Sequence, residues 1–260
     1  MKRFIKQFGG KIDNKELHRL SQSKHWTGKK FENLEETSMD INPRTLPGLL
    51  KKQFTGTAGR APEKNIPIIP FDTDAFNKDS NSPKFIWYGH SVILFRMNGM
   101  NILFDPMFGP DASPIAPMQT KIFSEGSLEI LKQLPPIDIV LMSHDHYDHL
   151  DLASIEVLKG KVKKYIVPLG VGRHLKAWGI DPNSIQELDW WDNLSIENLF
   201  IEFTPSRHFT GRGLSDRAKS LWGRFVLKTS KHKIYISGDG VMGAISRLLV
   251  KSMDHSTLLL

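Results

Sequence analysis

The densest group of reactive side chains lies between His144 and Asp151, in the sequence "HDHYDHLD". Three histidines and three aspartates fall within these eight residues, directly after the apolar run "IDIVLM". Imidazole nitrogens and carboxylate oxygens without any thiolate suit Zn²⁺, Mn²⁺ or Fe²⁺. The stretch therefore predicts a divalent metal site, and a histidine-rich surface loop is the weaker alternative.

The spacing divides these side chains between two cations. Residues two apart in a loop that continues a strand point the same way, so His144 and His146 can hold one ion together. Asp148 and His149 follow one turn later and can hold a second ion beside the first. Two ions at such a distance can share a water and lower its pKa toward neutrality, which is the chemistry of hydrolysis.

A site with two metals needs ligands from elsewhere in the chain, and two residues fit that need. His208 follows the apolar strand pattern "LFIEFTP" in a loop that contains glycine. Asp239 follows "KIYIS" and lies between two glycines, which let the backbone come close enough for its carboxylate to bridge two ions. Both are predicted to be metal ligands.

The other histidines are given no metal role. His90, in "WYGHS", is predicted to be buried and hydrogen-bonded. A second set lies among basic or polar residues and is predicted to be on the surface: His18, His25, His174 and His232. His255 is left open.

The elements around these residues are strands in hairpins, interrupted by helices. "KFIWYGHSVILFRMNGMNILFDP" predicts strands at 85–87, 92–97 and 101–105, and "IDIVLM" predicts a buried strand that ends at the histidines. "SLWGRFVLKTSKHKIYISGDG" predicts a further hairpin. Polar clusters at the strand ends indicate an α/β layered fold.

Composition sets the class of protein. The chain has 260 residues, no cysteine and a net charge of +7, which excludes disulfides and thiolate metal sites. No secretory signal or membrane span is predicted, so we expect a cytoplasmic protein; its basic charge also suits peripheral association with anionic membranes. The basic residues form no recognised nucleic-acid motif, and no nucleic-acid partner is expected.

Residues 1–65 are polar and weakly periodic, and they predict an N-terminal extension with two short helices packed on the domain. Residues 66–260 are predicted to form the hydrolase domain. Nothing in the sequence sets the oligomeric state.

"SHDHYDH" resembles the His-x-His-x-Asp-His signature of the metallo-β-lactamase fold superfamily. "WYGHSVILFRMNGMNILFDPMFG", "TPSRHFTGRGLSDRAKSLWGRFVL" and "IYISGDG" resemble a branch that includes the N-acyl-phosphatidylethanolamine-hydrolysing phospholipase D. The resemblance implies a four-layer αβ/βα sandwich with a dinuclear site, normally zinc, at one edge between the sheets. It covers residues 67–239.

The resemblance also implies individual roles. His144, His146 and His208 would hold one ion, Asp148 and His149 the other, and Asp239 would bridge them. Asp105, in "ILFDP", would orient a ligand histidine. Asp148 would also be catalytic, by orienting the nucleophile and accepting its proton.

The family pattern continues beyond the Gly-Asp turn with a helix, a strand and a loop that carries a last metal-ligand histidine. Here "GVMGAISRLLVKSMDHSTLLL" remains, in which "AISRLLVKSM" fits the helix and "STLLL" the start of the strand. We expect the fold to be incomplete at this end, with the second ion short of one ligand and activity reduced. His255 does not match the position of the missing histidine.

The resemblance implies a zinc-dependent phosphodiesterase that uses a metal-bound hydroxide on a phospholipid or another small molecule. Alternatives are hydrolysis of another ester, a lactone or another phosphodiester, and a metal-binding protein without activity. Arg207 and Arg212 are candidates for a substrate phosphate or for surface ion pairs. Core packing is favoured over an acyl groove for four tryptophans: Trp87, Trp190, Trp191 and Trp222.

Overall fold

The computed structural model describes residues 2–37, 61–78, 82–113, 120–213, 215–240 and 257–259, together with a few positions between 44 and 59. These residues form two mixed β-sheets that pack face to face, with helices against the outer face of the first sheet. Within the described residues, no helix has both the length and the hydropathy that crossing a bilayer requires.

The first sheet has six strands in sequence order: β1 (Lys84–Gly89), β2 (Val92–Met97), β3 (Met100–Phe104), β4 (Ile137–Leu141), β5 (Val162–Pro168) and β6 (Ile185–Leu188). β1, β2 and β3 form an antiparallel meander, whereas β3 to β6 run parallel. The parallel strands bring the ends of β3 and β4 to the same edge of the sheet.

The second sheet has five strands: β7 (Asn193–Ile196), β8 (Leu199–Pro205), β9 (Gly223–Lys228), β10 (Lys233–Ile236) and β11 (Thr257–Leu259). Their order is β11-β10-β9-β8-β7, antiparallel except for the parallel pair β10 and β11. β11 matches the strand predicted at "STLLL".

The described helices are short: α1 (Lys2–Gln7), α2 (Asn14–Leu20), α3 (Thr73–Asn77), α4 (Ser127–Gln133), α5 (Leu152–Leu158) and α6 (Gly172–Ala177), with a 3₁₀ turn at Pro182–Ser184. Asp151 caps α5 by accepting hydrogen bonds from the backbone N–H groups of Ala153 and Ser154. This cap starts the helix directly after the histidine-rich loop.

Alternation along the strands divides the core in two. Ile93 and Phe95 of β2 face the second sheet, where Phe203 and Phe225 lie, whereas Leu94 faces the helices. Because successive side chains of a strand point to opposite faces, one strand serves both layers. The core therefore fixes the register of the strands whose ends carry the polar clusters.

The predicted α/β sandwich and its strands are confirmed, with the hairpin partner of β2 shifted by one residue to Met100–Phe104. The helix predicted at "AISRLLVKSM" lies outside the described residues, as does His255. In the N-terminal segment, Gln7 and Gly10 make hydrogen bonds to residues of the sandwich. The domain boundary at residue 65 stays a prediction.

Candidate metal centre

The predicted ligands meet at one edge of the sandwich because each follows the carboxyl end of a strand. The loop that starts at His144 follows β4, His208 follows β8, and Asp239 follows β10. The turn between β1 and β2 brings His90 to the same edge. Two groups of potential ligands result: His144, His146 and His208, and His90, Asp148, His149 and Asp239.

The first group consists of three imidazoles. Nε2 of His144 lies 2.9 Å from Nδ1 of His146, and Nε2 of His208 lies 3.2 Å and 3.3 Å from these two nitrogens. Each nitrogen either carries a proton or offers a lone pair, so three of them cannot form three mutual hydrogen bonds. At least one pair must repel unless a cation lies between them.

The second group combines imidazoles with carboxylates. Nε2 of His149 lies 3.1 Å from Nε2 of His90 and 3.4 Å from Oδ2 of Asp239. Asp148 lies 3.4 Å from His90 and 4.0 Å from His149. The oxygens of two carboxylates and two ring nitrogens therefore face a common point.

Asp239 lies between the two groups. Its Oδ2 is 3.4 Å from His149 and 3.9 Å from Nε2 of His208 in the first group. Gly238 has φ of +50°, and a Cβ there would approach the Cβ of Ser143 to 3.2 Å. A glycine therefore allows the turn to bring the carboxylate against the histidine loop.

Asp105 holds His149 from the side away from the site. Its Oδ2 lies 2.8 Å from Nδ1 of His149, and its Oδ1 accepts a hydrogen bond from the backbone N–H of Ser143. With Nδ1 engaged, Nε2 of His149 is the nitrogen that faces Asp148 and Asp239. This is the orienting contact that a ligand histidine needs.

The residues fit a pair of divalent ions. Four bonds of about 2.0–2.1 Å in tetrahedral directions place neighbouring ligand atoms about 3.3 Å apart. The nitrogens of the first group are separated by 2.9–3.3 Å, which matches a shared ion. The donor set of nitrogen and oxygen suits Zn²⁺ and also Mn²⁺ or Fe²⁺.

The electrostatics of the two groups differ. Burial and the neighbouring imidazoles lower the pKa of His144, and burial lowers the pKa of His208 to about 4. For His149 burial alone would lower the pKa, but Asp105, Asp239 and Asp148 raise it to about 10. A hydrogen bond with His149 lowers the pKa of Asp239 to about 2. The second group therefore attracts positive charge, which a proton supplies in the metal-free protein.

A difference in proton release follows. At pH 7.5 the first group is neutral and can take an ion without losing protons, whereas His149 must lose one. We expect the affinity of the second ion to rise by up to about tenfold per pH unit from 7 to 9. Zinc titrations at several pH values, with calorimetry in buffers of different ionisation enthalpy, measure this.

The matched variant for this prediction is Asp105→Asn, which lowers the pKa of His149 without removing any residue of the two groups. Its pH dependence of zinc affinity should be flatter, because ionisation of bound water remains but His149 contributes less. An equal slope in both proteins would contradict the assignment of the proton to His149.

His90 belongs to the second group, although no metal role was predicted for it. Its side chain was predicted to be buried, but it is 46% exposed and lies in the second group. The backbone of His90 has a φ of +45°, directly after Gly89 at +104°, so the strand breaks there and turns the ring toward the site. A polar residue after a glycine at a strand end was the available signal.

Three further interpretations were wrong. His174 was predicted on the surface but is fully buried, and His25 has a largely buried ring paired with Asp189 at 2.8 Å. Arg212 is 2% exposed and donates to backbone carbonyls, so it is neither a surface ion pair nor open to a phosphate. Their side chains bond to residues that lie between 29 and 205 positions away in the chain, which local sequence does not reveal.

A cavity of about 470 Å³ adjoins the second group. Its apolar lining is Phe85, Trp87, Ile93, Phe104 and Ile236, and its polar lining includes His90 and Asp239. Core packing is confirmed for Trp190 and Trp222, each 1% exposed, but is wrong for Trp191 at 39% and Trp87 at 63%. Trp87 lies on β1, which is an edge strand of the first sheet as far as the described residues show it.

A family model described as Beta-lactamase superfamily domain matches residues 100–260, more than half of the chain. An uncharacterized protein of Mycobacterium tuberculosis is 32% identical over 220 residues, which are 84% of this chain and 58% of that protein.

Two other relatives are named for an activity. The mitochondrial N-acyl-phosphatidylethanolamine-hydrolyzing phospholipase D of Saccharomyces cerevisiae is 34% identical over 194 residues, 69% of this chain and 38% of the enzyme. A metal-dependent hydrolase of Thermodesulfovibrio yellowstonii is 28% identical over 142 residues, 52% of this chain and 49% of that protein. The chain thus spans between about two fifths and three fifths of the length of these relatives.

Proposed function

The chain belongs to the β-lactamase superfamily, and on that premise we propose that it is a metal-dependent hydrolase that cleaves a phosphodiester bond in an N-acyl phospholipid. The observation that carries the proposal is the pair of ligand groups with Asp239 between them, beside an apolar cavity. The similarity to the yeast phospholipase D supports the choice of substrate class.

The residues of the chain have separable tasks in this reaction. Divalent ions at the two groups would supply Lewis acidity, which lowers the pKa of water and stabilises negative charge on phosphoryl oxygens. Asp105 keeps Nε2 of His149 toward the site. Burial raises the pKa of Asp148, but the hydrogen bond with His90 and the charge of His149 outweigh it and lower the pKa. Asp148 is therefore a carboxylate at neutral pH, 39% exposed, and can orient a water and accept its proton.

The apolar cavity would hold the acyl chain of the substrate. Its volume of about 470 Å³ lies within the range of about 300–1,000 Å³ of small-molecule sites. Trp87 donates a hydrogen bond from Nε1 to the backbone carbonyl of His90 at 2.8 Å, so the aromatic wall is fixed to the turn that enters the second ligand group. A chain along this wall would place its headgroup phosphate at the ions.

Arg207 is the candidate cation for the substrate phosphate. It precedes His208 directly in the chain and donates from Nε to Oγ1 of Thr37 at 3.0 Å, a contact that restrains its guanidinium. We propose that its remaining N–H groups face the phosphate.

The experiment is an assay of the zinc-loaded chain on N-palmitoyl-phosphatidylethanolamine in mixed micelles. Water adds to phosphorus, the bond from phosphorus to the ethanolamine oxygen breaks, and phosphatidate and N-palmitoylethanolamine form. Parallel assays use bis-p-nitrophenyl phosphate and an N-acyl lactone. If only the lactone is cleaved, the proposed phosphodiester substrate is wrong and the protein is a lactone hydrolase. If the chain holds two ions but cleaves none of the three compounds, the proposed function is overturned.

Trp87→Ala tests the apolar wall. The variant loses about one to two kcal/mol of apolar contact with the lipid, so KM for the lipid should rise by about 5- to 30-fold. KM for bis-p-nitrophenyl phosphate should not change. Phe123→Ala, which removes another aromatic ring that is 45% exposed and is absent from the lining, is the matched control. Equal effects of Trp87→Ala on both substrates would contradict an acyl site at this wall.

A further inference from the structure

Asp145 lies between His144 and His146 in the sequence, but its side chain takes part in a separate, buried network of hydrogen bonds. The carboxylate is fully buried and accepts hydrogen bonds from Oγ of Ser220 at 2.7 Å and from the backbone N–H of Gly211 at 2.8 Å. Nε2 of His174 lies 3.3 Å from its Oδ2. Asp145, which joins His144 to His146 in the chain, is thus fixed by contacts on the side away from the metal site.

Arg212 holds the same loop at both ends. One terminal nitrogen, Nη1, donates to the carbonyl of Asp145 at 2.8 Å and to the carbonyl of Leu150 at 2.7 Å. The guanidinium also lies 3.9 Å from the ring centre of Tyr147, whose hydroxyl donates to the backbone carbonyl of Arg212. A single buried fork therefore spans the loop that contains His146, Asp148 and His149.

The other side of that fork binds the N-terminal segment. Nε and Nη2 of Arg212 both donate to the carbonyl of Gln7, at 3.0 Å and 2.8 Å. Gln7 is the last residue of α1, where carbonyls lack helical partners. One guanidinium, that of Arg212, thus donates hydrogen bonds both to the last carbonyl of α1 and to carbonyls of the loop that contains the metal ligands.

A second connection runs through α6. The backbone N–H of Gly10 donates to Nδ1 of His174 at 3.1 Å, so Nε2 carries the ring proton and donates to Asp145. Nε of Arg173 donates to the carbonyl of Gly10 at 3.2 Å. A Cβ on Gly10 would lie 2.3 Å from the carbonyl oxygen of Arg173, so only glycine allows this approach.

We propose that the segment Gln7–Gly10 is a positioning element of the metal centre, acting through Arg212 and His174 on the loop from Asp145 to Leu150. Docking of this segment and metal binding stabilise the same loop conformation, so each favours the other. The inference rests on the proposed metal site and is independent of the proposed substrate.

A purely structural role would lower stability without changing metal affinity at constant folded fraction. Two measurements distinguish the positioning role from a purely structural one. Zinc affinity is measured by competition with a chelator, and stability is measured as the melting temperature of the metal-free protein. Hydrogen exchange of the amides from 144 to 150 reports the loop directly, also without metal.

Gly10→Ala and Arg212→Lys are the test variants. Contacts that support metal ligands typically change affinity by about 10- to 100-fold, and we expect losses in that range for both, with faster exchange in the loop. Because both variants loosen the docking of the same segment, the double variant should lose less than the product of the two factors. The control is Gly28→Ala, which adds strain at a φ of +90° in open space and should lower the melting temperature alone.

If Arg212→Lys fails to fold, Tyr147→Phe replaces it, since it removes only the hydroxyl bond to Arg212. Unchanged zinc affinity and loop exchange in Gly10→Ala would overturn the proposal. A wild-type chain that binds no zinc would refute the metal site instead, and faster exchange of the metal-free Gly10→Ala loop would still show the coupling of the segment to the loop.

Discussion

Replacing His144 and His146 together by alanine should remove one of the two bound ions and reduce hydrolysis by at least about a thousandfold. The first group would be left with His208 as its only imidazole, and one nitrogen does not hold a divalent ion against a chelator. Elemental analysis after dialysis against a weak chelator measures the loss, and the phosphodiester assay measures the rate.

The control for this prediction is a protein that also loses two histidines. His18 is exposed in α2 and His232 lies in the turn between β9 and β10, outside both ligand groups. The pair His18→Ala and His232→Ala should keep the metal content and the rate. Equal metal content in wild type and in the variant without His144 and His146 would refute the dinuclear site.

Asp148→Asn should lower the rate constant kcat by about 10²- to 10⁴-fold, the range expected when a group that handles a proton is lost. The amide keeps the size of the side chain but cannot accept the proton of the attacking water. It also weakens the second ligand group, so metals per chain must be measured in the same sample.

Two results would separate these contributions. If added zinc restores metal content but the rate stays low, Asp148 acts on the proton as well as on the ion. Asp74→Asn, an exposed aspartate in α3, is the matched control and should behave as wild type. An unchanged rate in Asp148→Asn on a substrate that the wild type cleaves would remove Asp148 from the mechanism.

Much of the site could be predicted because its signals are local. The histidine loop follows an apolar strand directly, and the spacing of His144, His146 and His149 carries the chemistry. His208 and Asp239 were predicted although they are distant in sequence, because both follow strands in loops that contain glycine. In a layered sandwich, strands that point the same way bring their ends together, so a strand-end rule is enough.

The misreadings share a physical cause. His174 and Arg212 sit among polar neighbours in sequence, which suggests solvent, but their partners are Gly10, Asp145 and Gln7 in other parts of the fold. A buried polar group is stabilised by the hydrogen bonds it finds in three dimensions, and composition within a short window does not report them. Trp87 was misread for the opposite reason, since an aromatic strand pattern does not reveal that the strand lies at an edge.

Whether two ions lie at this edge of the sandwich can be seen from the anomalous scattering of zinc in crystals of the zinc-loaded chain. We expect two peaks in the anomalous difference map at the zinc edge. One should lie among the ring nitrogens of His144, His146 and His208, and the other beside Asp148 and His149, with a carboxylate oxygen of Asp239 within about 2.0–2.2 Å of at least one peak. A map with no peak at these residues, or with the ligand atoms more than about 5 Å from any peak, would contradict the two-ion site.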